Sequence, residues 1–393
     1  MKEVAGDLAE AISAARERRN KDQAGAYVHV PYCAHRCSYC SFVAIAGLDG
    51  EEAYFQALGR EVRARALEVP GPLDTVYFGG GTPSYVPPQR LSGVLDELAA
   101  SFGIAAGAEI TAEGNPDDLD EARLEALAVL GVNRLSIGVQ SLVDGELELL
   151  ERRHDSAAAL SAVRRAARTF GSVSADLMIG VPRQTRETLR ASVTALLEAG
   201  VGHLSVYLLE LEKAPRLVGL RQERPELFPD DEEMAARWED VDDLCREAGL
   251  PRYELSNWAR PGQGSRHNLK YWTGAPTLGL GVAAFSFDGV TRRANSGSTT
   301  EYLRRVNAGG TAFVSEERLE GEALLFERTM LALRLAEGVP SSELEAVRRL
   351  LAPADRERLA DCEEAGLLVR ERDRVTLSRR GALLSNEVFA VFV

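Results

Sequence analysis

The chain contains no apolar run of membrane-spanning length. Its first stretch, Met1 to Gln23, is charged and alanine-rich where a signal peptide would be apolar. These absences exclude a helical membrane protein and point away from secretion. Positive charge is also in deficit, with 46 Lys and Arg against 60 Asp and Glu and a net charge of −14. A general nucleic-acid binder needs a basic face for phosphate, so the charge argues against that class, although a local basic patch is still open. Cysteine is scarce, with only five in 393 residues, three of them in a single loop. That usage does not build a disulfide framework and fits a reducing cytoplasm. Internal repeats and low-complexity tracts are missing too.

What is present is enough apolar sequence, 45% of residues, to bury a large core. The length suits one large domain with a smaller companion. Between about residues 24 and 210, short β-rich runs alternate with amphipathic stretches. The strands expected are Tyr27–Val30, Asp74–Phe78, Glu109–Glu113, Arg134–Val139, Ser174–Ile179 and His203–Leu208. The helices expected between them include Glu51–Leu67, Gln89–Ala100, Asp120–Leu130 and Arg186–Ala199. Alternation of this kind predicts an α/β fold: parallel strands joined by right-handed crossovers into a partial (β/α)6 barrel, with the site at the strands' C-terminal ends.

Beyond residue 210 the pattern loosens. An acidic helix, Asp231–Ala248, precedes an irregular aromatic-rich segment and a glycine-rich apolar run, Thr277–Phe287. From Gly321 onward, helical stretches Glu322–Leu335, Ser341–Leu351 and Ala354–Ala365 are followed by a hairpin at Leu367–Leu377 and a last helical stretch, Arg380–Phe392. The domains expected are therefore a leader (1–23), a core barrel (24–210), a barrel extension (211–320) and a winged-helix-like module (321–393). In so acidic a chain such a module is expected to pack against its neighbour and not to bind DNA.

Cys33, Cys37 and Cys40 lie in the run Tyr27-Val-His-Val-Pro-Tyr-Cys-Ala-His-Arg-Cys-Ser-Tyr-Cys40. Three thiolates on one tight loop suit three irons of a [4Fe–4S] cluster and leave the fourth iron open for a cofactor. The competing reading is a zinc site with His35 as fourth ligand, but such sites usually take two separated ligand pairs, and Cys245 and Cys362 stand alone. Gly79-Gly-Gly-Thr-Pro-Ser84, at the end of the second strand, lets a backbone approach a ligand closely. Glu113, Gln140, Asp176 and Glu210 each fall at or near a predicted strand end. Singly, such residues are caps or loop anchors. As a set on one rim they suit the ribose, amine and carboxylate of a polar cofactor, and Arg152 suits paired hydrogen bonds to a carboxylate.

The succession of the cysteine run, Gly-Gly-Gly-Thr-Pro-Ser, Glu-Gly-Asn-Pro, Ser-Ile-Gly-Val-Gln and Asp-Leu-Met-Ile-Gly-Val-Pro resembles the radical S-adenosylmethionine (SAM) superfamily, and within it the oxygen-independent coproporphyrinogen III oxidase group. The resemblance covers roughly residues 24 to 393. It implies that Cys33, Cys37 and Cys40 bind a [4Fe–4S] cluster and that Tyr27, Tyr39, Gly80, Gly81, Thr82, Glu113, Gln140, Arg152, Asp176, Glu210 and Phe285 contact SAM.

Ser41-Phe42 follows the third cysteine where the decarboxylases carry another cysteine two places on, and the leader before Tyr27 is short. Together with Arg266-His-Asn-Leu-Lys-Tyr-Trp272 and Leu383-Leu-Ser-Asn-Glu-Val-Phe389, this resembles the heme chaperone branch of the group. That branch implies heme or porphyrin as cargo, heme-accepting proteins and an electron donor as partners, and SAM cleavage as a chemistry the cofactors could support. His267 is then the candidate heme ligand, with Tyr271 and Trp272 as flat apolar surface. The competing reading is a buried aromatic cluster with a hydrogen-bonded histidine; His29 is expected to be of that kind. One departure is Phe285, where the branch usually has histidine. The rival functions are oxidative decarboxylation of coproporphyrinogen III and a radical SAM methyl transfer or cyclopropanation.

Overall fold

In the computed structural model, which describes residues 23–393 apart from Ser38, six parallel strands follow one another around a partial barrel in chain order. They are β1 (Gly25–Val30), β2 (Leu73–Gly80), β3 (Ile104–Gly114), β4 (Arg134–Gln140), β5 (Ser172–Ile179) and β6 (His203–Leu208). The crossovers carry α1 (Glu51–Ala64), α2 (Pro88–Phe102), α3 (Glu121–Val129), α4 (Asp144–Leu149), α5 (Ser156–Thr169) and α6 (Arg186–Glu198). A short helix, α7 (Pro215–Glu223), and a longer one, α8 (Asp231–Glu247), follow β6. Every expected strand and crossover helix is present, with ends displaced by a few residues.

The strands alternate as the pleat requires. Val28 and Val30, Val76 and Phe78, Leu135, Ile137 and Val139, and Val173, Ala175, Leu177 and Ile179 are buried in the main apolar core. Their neighbours on the opposite face are polar. Tyr77, Glu113, Arg134, Ser136, Ser174, Asp176, His203 and Ser205 surround a small internal cavity of about 40 Å3. Ser174 bridges His203 Nδ1 at 2.8 Å, and Ser136 donates to Asp176 at 3.1 Å. A cavity of that size holds a few waters when polar partners surround it.

The segment from 211 to 320 widens the sheet at both edges. β7 (Arg252–Glu254) and β8 (Asn257–Ala259) form a hairpin whose second strand pairs antiparallel with β6. At the other edge β9 (Thr277–Leu280) runs parallel to β1, and β10 (Phe285–Phe287), β11 (Thr291–Asn295) and β12 (Phe313–Arg318) continue it antiparallel. A buried network ties this extension to the barrel. Glu61 on α1 pairs with Arg65 at 3.0 Å and accepts from Tyr302, Asn295 and the Gly281 amide.

The aromatic-rich segment expected to be irregular contains a helix, α9 (Arg266–Thr273). Only eight residues long, it is set by its ends. The Ser265 side chain caps the Asn268 amide, and Gly274 stops the helix with φ of 68°. α9 lies beneath the barrel, where Glu109 of β3 accepts the Arg266 and His267 amides and Asp74 of β2 pairs with Lys270 at 2.6 Å.

After α10 (Thr299–Gly309), the C-terminal module consists of α11 (Gly321–Leu333), α12 (Ser341–Leu350), α13 (Pro353–Glu364) and a three-stranded sheet. That sheet joins β13 (Val339–Pro340) to the hairpin β14 (Leu368–Glu371) and β15 (Arg374–Leu377). The stretch expected as one helix, Arg380–Phe392, is broken into α14 (Arg379–Leu383), α15 (Ser385–Phe389) and a final 3-10 turn. The module packs on α9, with the Arg334 guanidinium 4.2 Å from the centre of the Trp272 ring. No helix among the described residues is long and apolar enough to cross a membrane.

Candidate functional site

The loop after β1 and the C-terminal ends of β2 to β6 enclose one cleft of about 350 Å3, within the range of small-molecule sites. Cys33, Cys37 and Cys40 all line it. Cys33 is held in a two-residue strand, Tyr32–Cys33, paired with Ile45–Ala46, so the loop between them is closed at its base. Burial pushes the Cys33 thiol up to about 11, opposed by the Thr82 hydroxyl. A cation bound at the thiolates has to displace that proton.

The Gly79–Thr82 turn passes directly under this loop. Gly80 has φ of 108°, and a Cβ there would meet the His29 ring at 2.4 Å. A Cβ on Gly81 would lie 2.7 Å from the Val30 carbonyl oxygen and 2.8 Å from that of Tyr32. Only glycine allows the turn to lie this close to the cysteine loop.

Tyr39, Gly80, Gly81, Thr82, Glu113, Gln140, Arg152, Asp176 and Glu210 all line the same cleft. Gln140 ends β4 at a β-bulge and adopts φ of 68°. For a residue other than glycine this is a strained conformation, and it places the Gln140 side chain at the cleft wall. Glu113 accepts from the Tyr77 hydroxyl at 2.7 Å and the Gly80 amide at 3.0 Å. Burial pushes its carboxyl up to about 7, the Tyr77 bond opposing and Asp176 adding to the rise. Burial likewise raises Asp176 to about 6, against hydrogen bonds from Ser136 and Ser205. Arg152 donates through Nη2 to the Asn115 side chain and the Gly138 carbonyl, each at 2.6 Å. Its Nε is buried without a partner.

Three expected residues lie elsewhere. Tyr27 sits deeper in the barrel, its hydroxyl 3.1 Å from His29 Nδ1 and its ring stacked on Tyr77. Phe285 is on β10 with its side chain largely exposed, outside the cleft. His267 is buried under the barrel, its Nδ1 2.9 Å from Thr75 and its Nε2 2.9 Å from Tyr271. Burial, with Lys270 adding to it, holds His267 neutral down to about 3. His29, expected as a bonded core histidine, is buried with Nε2 on the Val43 carbonyl at 2.9 Å.

The cleft also contains residues that the sequence did not single out: Asn115, Ser136, Met178, Tyr207 and Leu208. Asn115 stands inside the Glu-Gly-Asn-Pro motif, two places after Glu113, and that adjacency was its available signal. The donor set fits the cofactors that the sequence implies. Three thiols face one cleft, N–H and O–H groups point at two of them, and an unpartnered guanidinium nitrogen is left for a carboxylate.

Comparison with known proteins places the chain in a family. Residues 27–196 match the model of the radical SAM superfamily, and residues 319–384 match the HemN C-terminal domain. Across 95% of the chain and 91% of the other, the fold superposes on that of coproporphyrinogen III oxidase (HemN) from Escherichia coli with a TM-score of 0.81 at 23% identity. Fold and cleft thus define a radical SAM protein of HemN-like architecture. Among curated proteins, the chain is 38% identical to the heme chaperone HemW of Mycobacterium tuberculosis, over 93% of each chain. It is 33% identical to HemW of Bacillus subtilis, over 94% of this chain and 98% of that one. The mitochondrial radical S-adenosyl methionine domain-containing protein 1 of Bos taurus is 36% identical over 84% of this chain and 72% of its own. The chain belongs to the HemW family.

Proposed function

We propose that this protein is a heme chaperone that carries a [4Fe–4S] cluster and SAM in the cleft and hands heme to heme-accepting proteins. The observation that carries the cofactor half is the convergence of Cys33, Cys37 and Cys40 with the Gly80–Thr82 turn and the strand-end residues Glu113, Gln140, Arg152 and Asp176. Cys33, Cys37 and Cys40 would hold the cluster. Glu113 and the Gly80–Gly81 backbone suit an ammonium group, and Arg152 Nε suits a carboxylate. When bound, a reduced cluster supplies one electron to the sulfonium of SAM. The protein's part is to orient the cofactor and to exclude water.

The heme half rests on membership of the HemW family. Phe42 and Leu208 offer apolar surface at the mouth of the cleft, where they are 57% and 52% exposed. His267 would bind an iron only by giving up one of its two ring bonds, to Thr75 at Nδ1 or to Tyr271 at Nε2. All five cysteines are free, which suits work in a reducing cytoplasm with an external electron donor.

The test is an anaerobic assay of cluster-reconstituted protein with two arms. Heme-loaded protein is mixed with an apo heme protein, and transfer is followed in the Soret band. Coproporphyrinogen III, SAM and dithionite are incubated with the protein and read by mass spectrometry. Heme transfer without porphyrin conversion supports the chaperone; formation of protoporphyrinogen would make the protein a decarboxylase.

A further inference from the structure

Arg152 does more than face the cleft; it is connected to two of the three cysteine sulfurs. Its Nη1 lies 3.6 Å from Cys37 Sγ and 3.4 Å from the Tyr39 hydroxyl. Its Nη2 donates to Asn115 Oδ1 at 2.6 Å. Asn115 Nδ2 in turn donates to Thr82 Oγ1 at 2.9 Å, and the Thr82 hydroxyl donates to Cys33 Sγ at 3.2 Å.

The direction of this chain is fixed by its two ends. A guanidinium has only donors, so the oxygen of Asn115 must face Arg152 and its amide N–H must face Thr82. Having accepted that N–H, the Thr82 hydroxyl keeps its own proton for the sulfur. Each link polarises the next, and the Thr82–Cys33 end is buried where solvent screens it weakly. Reduction of a cluster adds negative charge, which N–H and O–H donors on the sulfurs and a nearby cation stabilise.

We propose that Arg152, Asn115 and Thr82 form one relay that raises the reduction potential of a cluster held by Cys33, Cys37 and Cys40, with Asn115 as the positioning residue that aims the Thr82 proton at Cys33. The relay rests on the cluster assignment made above. It leaves Arg152 Nε free, so that the same guanidinium can serve the cofactor carboxylate and the cysteine loop.

The experiment uses the full chain, reconstituted anaerobically with iron and sulfide, without SAM. Iron content and the electron paramagnetic resonance signal of the dithionite-reduced protein are recorded first, and midpoint potentials are then taken by mediated titration. We expect Thr82→Val to take up wild-type iron and to lower the potential by at least a tenfold change in the reduction equilibrium, about 59 mV for one electron. Thr82→Ser, which keeps the hydroxyl, should stay within threefold of wild type. Asn115→Leu should shift in the same direction as Thr82→Val, and the double variant should go no further than Thr82→Val alone.

An iron-replete Thr82→Val within threefold of wild type overturns the relay. So do Thr82→Val and Asn115→Leu shifts that simply add. Wild-type protein with no iron and no reduced-cluster signal would instead refute the cluster assignment, and the relay with it.

Discussion

Glu109, on the third barrel strand, grips His267 from above: one carboxylate oxygen accepts the His267 amide and the other the Arg266 amide, each at 3.0 Å. An anion at a helix N-terminus satisfies backbone donors that no helical carbonyl can reach. The His-Asn-Leu-Lys-Tyr-Trp segment is thereby fixed as the floor of the barrel. Charge-assisted bonds of this kind contribute roughly 1.5–3 kcal/mol each, and a partner left unsatisfied adds to the loss. We expect Glu109→Ala to destabilise the fold by about 3 kcal/mol in denaturant melts while cysteine-bound iron is retained.

His267 itself provides the next expectation. Both ring nitrogens are bonded, and the ring stacks on Tyr77 at 5.2 Å between centroids. His267→Ala should cost roughly 2–4 kcal/mol of stability, the usual range for a buried ring and its hydrogen bonds. Heme titration of the folded variant should keep the wild-type stoichiometry. Loss of the heme Soret shift in a variant with unchanged melting temperature would restore His267 as the ligand.

Glycine at 81 is required by backbone and not by side-chain contacts. Gly81→Ala drives a Cβ against the carbonyl oxygens of Val30 and Tyr32, where the chain leads into the cysteine loop. We expect at least a tenfold loss of SAM affinity by calorimetry, with the circular dichroism of the barrel preserved.

The carboxyl of Glu113, raised to about 7, makes stability pH-dependent with a defined sign. Between about 4.5 and 7 the unfolded chain has lost this proton and the folded chain has kept it, so stability is fully present below 4.5 and falls as pH rises to 7. Glu113→Gln should remove that slope. Because Glu113 borders the open cleft, its gain at neutral pH over the wild type is put at only about 2 kcal/mol. Binding of an ammonium group at Glu113 should release a proton near pH 6.5, visible as a buffer-dependent binding enthalpy.

The barrel was legible because its outward faces alternate so regularly. Leu135, Ile137 and Val139, for example, can only be a strand covered by helices. The cysteine loop and the glycine turn were legible as local spacing. Less visible was anything built from distant partners. Helix α9 carries no long periodicity and exists because Ser265, Glu109 and Asp74 hold it from outside or from its edge. Asn115 stood in a visible motif, but its contacts did not show, since Arg152 and Thr82 flank it only in space. Phe285, matched to the cofactor by position in a motif, lies on the outer part of the extended sheet because β9 turns back antiparallel before reaching it.

The pairing of β1 with β9 bears on how the chain is made. Gly25 to Val28 align with Thr277 to Leu280, so the outer edge of the first strand waits for a partner synthesised about 250 residues later. At ribosomal rates of roughly 5–20 residues per second, that edge stays uncovered for some ten to fifty seconds. During that interval, the strand leading into the cysteine loop offers unpaired backbone to any neighbouring chain. Production of intact protein should therefore depend on translation speed and chaperone supply through the stretch before residue 280, and truncation there should yield aggregates and not a smaller working barrel.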